Sequence, residues 1–158
     1  MTPPDRNVLR QRFIALLVTE TQQLSAFISV LQIEHEILME RNLEPLNDIA
    51  KQKSDHARQL QQLADSRASI LAQAKLSFDR EGIETLLDGK HSDVWEKYLS
   101  LATQARQLNQ DNGLLITSQL SANHQALEVL LAHSDQPTIY GPDGTSRARP
   151  GSRHFGSF

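Results

Sequence analysis

A chain of 158 residues with 39% hydrophobic but only 5% aromatic content can close one sizeable core, and must build it from Leu, Ile and Ala rather than from rings. The net charge of −3, from 16 basic and 19 acidic residues of interspersed sign, leaves no electrostatic footprint for nucleic acid. The absence of cysteine excludes a disulfide scaffold and fits a reducing, cytoplasmic setting.

The first predicted element is a long helix. Arg6 and Arg10 precede the apolar run 13–18, which has the outline of a secretory leader but passes straight into Thr19 and Glu20. An ordinary first helix is expected, with no membrane span and no membrane insertion. Its seam runs Phe13, Leu16, Glu20, Leu24, Phe27, Leu31, Glu34, Leu38, in steps of three and four. Asn42 ends or caps this helix and Pro45 fits the first turn of the next. The second seam runs Leu46, Ile49, Lys53, Ala57, Leu60, Leu63, Arg67, Ile70, Ala74, Phe78.

Each seam holds two charges where apolar residues belong, acidic in the first and basic in the second. In an antiparallel hairpin, opposed residues have numbers with a constant total. Glu20 with Arg67 and Glu34 with Lys53 both total 87, which centres the turn between Leu43 and Glu44 and sets Leu24 against Leu63, Phe27 against Leu60, Leu38 against Ile49 and Leu16 against Leu71. Half-buried ion pairs add little stability but penalise a slipped register. The four residues are therefore expected to be register pins. One continuous helix kinked at Pro45 is the competing arrangement.

A connection over 79–92 contains Ile83, Leu86 and Leu87 between glycines, which predicts a short helix with Asp79 as its cap. Ser92 or Asp93 then caps a third long helix over about 93–132, with the stripe Tyr98, Leu101, Ala105, Leu108, Asn112, Leu115, Gln119, Ala122, Ala126, Val129. Asn112 and Gly113 interrupt it, so a break there is the alternative to one helix. Asn109 and Asn112 are expected to form a hydrogen-bonding pair. Beside that stripe, Ile116, Leu120, Leu127 and Leu131 form a second, widened by Leu114 and Leu130. A helix that apolar is buried on two sides or offers one to a partner. The expectation is a groove that receives an amphipathic helix from another protein; a homodimer contact, in a homomeric coiled-coil scaffold or adaptor, is the alternative.

The fold class expected is therefore all-α: a long antiparallel hairpin over about 6–78 and a third long helix in an elongated bundle spanning 1–133, followed by an irregular tail over 134–158. The tail is rich in Pro, Gly, Ser and Arg, yet holds Tyr140, Phe155 and Phe158, three of the eight aromatic residues. Gly141, Pro142, Asp143 and Gly144 form a turn signal just after Tyr140, which suits an aromatic docking anchor.

No catalytic or cofactor chemistry is legible. None of the six histidines follows a Glu by three residues or repeats at zinc-protease spacing, and there is no phosphate-binding glycine loop and no G-x-S-x-G elbow. No enzyme, cofactor or metal site is expected.

The positions Glu20, Leu24, Phe27, Leu31, Glu34, Leu38, then Lys53, Leu60, Leu63, Arg67, Leu71, then Leu108, Asn109, Asn112, Gly113 and the tail motif Tyr140-Gly-Pro-Asp-Gly together resemble the FlgN family of flagellar export chaperones. The resemblance covers nearly the whole chain, apart from residues 147–158. It implies a cytoplasmic type III export chaperone that binds the C-terminal helical segments of the hook-filament junction proteins, keeps them from assembling early and delivers them to the cytoplasmic part of the export gate. By the same resemblance Tyr140 is expected at the gate contact.

Overall fold

The computed structural model describes residues 4–134. Among them are four helices and no strand: α1 (Arg6–Glu40), α2 (Leu46–Gln73), α3 (Arg80–Leu87) and α4 (Ser92–Ser134). The chain divides into two compact units, Met1–Leu114 and Leu115–Phe158. Tyr140, Phe155, Phe158 and the whole tail motif lie outside the described residues.

In the first unit α1 is the central rod. Asp5 caps it by accepting a hydrogen bond from the Asn7 amide at 3.1 Å, and Arg41 ends it in the left-handed conformation with its amide on Leu38 O. Its seam is buried at Phe13, Glu20, Leu24, Leu31, Glu34 and Leu38, while Leu16 and Phe27 are half-buried. A second buried side, absent from the expected seam, comprises Leu9, Arg10, Leu17, Thr21, Ile28 and Val30. That side exists because α1 is covered by α3 and the start of α4 as well as by α2.

Two clusters form the core. In one, Leu9, Phe13 and Leu17 meet Leu71 and Ala74 at the end of α2, Ile83, Leu86 and Leu87 of α3, and Trp95 of α4, whose ring stacks on Tyr98 at 5.4 Å. In the other, Leu24, Ile28 and Leu31 meet Ala105, flanked by Phe27, Leu60, Leu101 and Leu108. Arg10 ties the first cluster together: its Nε donates to Leu86 O at 2.8 Å and its guanidinium reaches Asn7 Oδ1 at 2.7 Å.

By length and composition alone α1 passes for a membrane span, with an 18-residue window of mean hydropathy 1.4, contrary to the expectation of none. Leu9, Phe13, Leu17, Leu24, Ile28 and Leu31 of this helix are covered in the core, while Val8, Val18, Ile33 and Met39 are exposed.

The hairpin is shorter than 6–78. Leu71 O accepts from the Leu76 amide and Lys75 turns left-handed at φ 59, so α2 stops at Gln73 and Phe78 stands 68% exposed outside any seam. Pro45 precedes α2 as its N-cap instead of entering its first turn. Asp79 caps α3 through the Gly82 amide at 2.9 Å, and its carboxyl is held below the usual range by the Ser77 hydroxyl and that amide. Ser92 and Asp93 fall inside the first turn of α4, after a left-handed His91, and α4 does not break at Asn112 and Gly113.

Candidate functional site

Two features stand out: a set of buried polar contacts in the first unit and an exposed apolar face in the second. The polar contacts fix how α1, α2 and α4 meet within the first unit. Arg67 Nε lies 3.0 Å from Glu20 Oε2, and Lys53 Nζ donates to Glu34 Oε1 and Oε2 at 3.1 and 3.2 Å. The acids are almost fully buried, with side chains 2% and 4% exposed, while Arg67 and Lys53 reach them from the rim at 18% and 23%. Arg67 also lies over the Tyr98 ring, 5.0 Å from its centre.

Glu34 is the better satisfied of the two acids, because Asn112 Nδ2 donates to it at 2.9 Å and also to Leu31 O at 2.8 Å. The remaining amide oxygen of Asn112 accepts from His35 Nδ1 at 3.0 Å, a contact that needs a proton on Nδ1. Asn112 is thus bonded entirely to α1 and fully buried, whereas Asn109 is exposed. The expected pairing of Asn109 with Asn112 is replaced by a contact between α4 and α1.

Glu20 faces a harder environment. Its Oε2 contact with Arg67 misses hydrogen-bond geometry, and burial outweighs the arginine to raise its carboxyl above the usual range. A shallow cleft of about 320 Å³ opens over it, lined by Leu24, Phe27, Leu60, Ala64 and Tyr98. Its only charged floor group is already opposed by Arg67, which leaves the cleft without chemistry to offer.

In the second unit, every residue of 120–132 is exposed. Leu120 is 62% exposed, Leu127 53%, Leu130 66% and Leu131 57%, and Ile116 is half-buried. At about 100° per residue these five fall within roughly 100° of the helix circumference. They form an open face on α4 where a groove was expected, and the first stripe, through Ala122, Ala126 and Val129, is exposed as well. The polar edge carries His124 Nε2 at 3.1 Å from Glu128 Oε1. Among the described residues no cluster of three or more His, Asp or Glu is arranged to hold a metal.

The polar contacts absent from the sequence analysis include Arg10 with Leu86 O and His35 with Asn112. Neither follows a helical repeat, so no periodicity could have found them.

Known proteins place the chain in a lineage. It is 36% identical over 90 residues to the Flagella synthesis protein FlgN of Salmonella typhimurium, a match covering 54% of this chain and 64% of that protein. It is 35% identical over 98 residues to its namesake in Escherichia coli, covering 60% and 70%, and 25% identical over 130 residues to that of Proteus mirabilis, covering 81% and 85%. The chain thus spans just under two thirds of the Salmonella protein. No solved structure matches it significantly. The family model described as FlgN protein matches residues 1–148, a stretch that takes in all four helices, the buried acids with their partners and the leucine face, and the chain belongs to the FlgN family.

Proposed function

We infer that this protein is a cytoplasmic export chaperone of the flagellar type III secretion system. It binds the C-terminal helical segments of hook-filament junction proteins, prevents their early assembly and presents them at the export gate. Membership of a family whose relatives carry the name Flagella synthesis protein supports the flagellar setting. The observation that carries the binding reading is the run of exposed leucines on α4, since a surface helix gains nothing from Leu120, Leu127 and Leu130 unless something covers them. An amphipathic helix laid along that face shields them, each covered leucine contributing about 1 to 3 kcal/mol.

Calorimetric titration with the C-terminal segment of a junction protein tests this. Leu120→Ala with Leu127→Ala should weaken binding by at least tenfold while circular dichroism stays that of the parent. Unchanged affinity would move the client site elsewhere. Tyr140, outside the described residues, is assigned to gate docking, so Tyr140→Ala should impair capture by the cytoplasmic domain of the gate and spare the client. The homomeric scaffold reading uses the same leucines; light scattering that finds a tight dimer at sub-micromolar concentration would favour it.

A further inference from the structure

The arc of α4 that carries Ile116, Leu120, Leu127, Leu130 and Leu131 also carries Asn123, which at about 100° per residue falls between Leu130 and Ile116 on the circumference. No other polar residue lies on that arc between 116 and 131. Asn123 is exposed, so water serves its amide in the free protein. We propose that Asn123 is the specificity-determining residue of the leucine face, and that the helix it selects carries one Asn or Gln in the middle of an otherwise apolar stripe. This rests on the reading of the leucine face as a client surface, and adds what the client must carry.

Leu120 stands three residues before Asn123 and Leu127 four after it, so a helix that covers both leucines covers the amide as well. Under an apolar side chain the amide loses water and gains no partner, a penalty larger than the net gain of an ordinary hydrogen bond. A partner with an amide at the facing position avoids that loss. One slipped along the face does not, so Asn123 sets register as well as identity.

Eleven residues earlier, three turns back along the helix, α4 shows the same arrangement completed. Asn112 is fully buried against α1, with Leu108 four residues before it and Ile116 four after. Its Nδ2 donates to Leu31 O and Glu34 Oε1 at 2.8 and 2.9 Å, and its Oδ1 accepts from His35 Nδ1 at 3.0 Å. The apolar seam with one asparagine that α1 covers is thus repeated along α4 by an exposed one. Continuity with the α1 contact argues for a helix as the occupant, and charge decides which polar group that helix brings. Glu34 can face Asn112 because Lys53 donates to both of its oxygens. Residues 112–134 contain no Lys or Arg, and His124 Nε2 lies against Glu128 at 3.1 Å. A carboxylate buried beside Asn123 would lack compensation, so a neutral amide is the group that fits.

Two synthetic amphipathic helices of three heptads test this, each kept monomeric by flanking charges of one sign. They share a leucine stripe and differ at one central stripe position, Asn in one and Leu in the other. In calorimetric titrations of the full chain, the parent should bind the Asn helix about tenfold tighter than the Leu helix. Asn123→Leu should reverse the order and Asn123→Ala should erase it. Both substitutions fall at an exposed position, so circular dichroism and light scattering should match the parent. A parent that binds the two helices equally, or binds neither, overturns the proposal. So does an Asn123 variant that keeps the parent's preference. The junction-protein segment is titrated separately: its failure to bind while the preference for the Asn helix holds would defeat the chaperone reading alone.

Discussion

Glu34 is held by Lys53 on both carboxylate oxygens and by the Asn112 amide, at 3.1, 3.2 and 2.9 Å, so removing its carboxylate strands an ammonium group at the rim of an apolar seam. Loss of one partner of a buried pair costs more than the pair contributes, because the other charge stays without compensation. Glu34→Ala should therefore lower the unfolding free energy by about 3 kcal/mol or more, read by urea denaturation, while Glu34→Leu combined with Lys53→Met should recover most of that loss. Glu20 gives a different signature. Burial raises its folded carboxyl above the ordinary 4.5 in spite of Arg67, so between that value and the raised one the folded state binds more protons than the unfolded. Stability from this group is present below 4.5 and falls as pH rises through the folded titration. Glu20→Gln cannot titrate, so its stability relative to the parent should be highest at neutral pH and decline on acidification. A difference in melting temperature that stays flat with pH would show that Glu20 is not held under this burial.

At the scale of the helices, the hairpin was legible because its charges are opposite in sign and share one total, a constraint that no leucine repeat supplies. Several helix ends were legible as well, such as the stop beside Asn42 and the Asp79 cap of α3, but the end of α2 was not: Lys75 takes the left-handed conformation that glycine usually marks, at φ 59, with no turn residue beside it. That is how Phe78 came to be read into a seam that ends before it. At Gly113 the expected single third helix holds, and the alternative of a break there does not occur. A Cβ there would meet nothing within 4 Å, so backbone and packing both accept a larger residue in the intact helix. Gly113→Ala should raise stability by about 0.5 to 1 kcal/mol, whereas Gly82→Ala should lower it, since a methyl group at Gly82 would run into the Ser77 carbonyl where the chain enters α3. Thermal melting of the two variants separates them by sign.

Across the whole molecule the leucines serve two ends, and the candidate site was only half legible for that reason. The sequence placed Ile116, Leu120, Leu127 and Leu131 on one side of α4, but a repeat that predicts an apolar stripe cannot say whether the chain itself buries it. Leu31 of α1 is fully buried in the cluster with Ala105 of α4, while Leu120 and Leu127 are more than half exposed. The same substitution should then have two outcomes. Leu31→Ala removes core packing and leaves a cavity, at a cost of about 2 to 5 kcal/mol in urea denaturation, whereas Leu120→Ala and Leu127→Ala should each stay within about 0.5 kcal/mol of the parent. If instead the exposed leucines cost as much as Leu31, they are already packed in the folded chain at strength, and a client helix has no open surface to take. A small stability cost paired with a large loss of client binding is the combination that separates a surface kept for a partner from a core that the chain completes by itself.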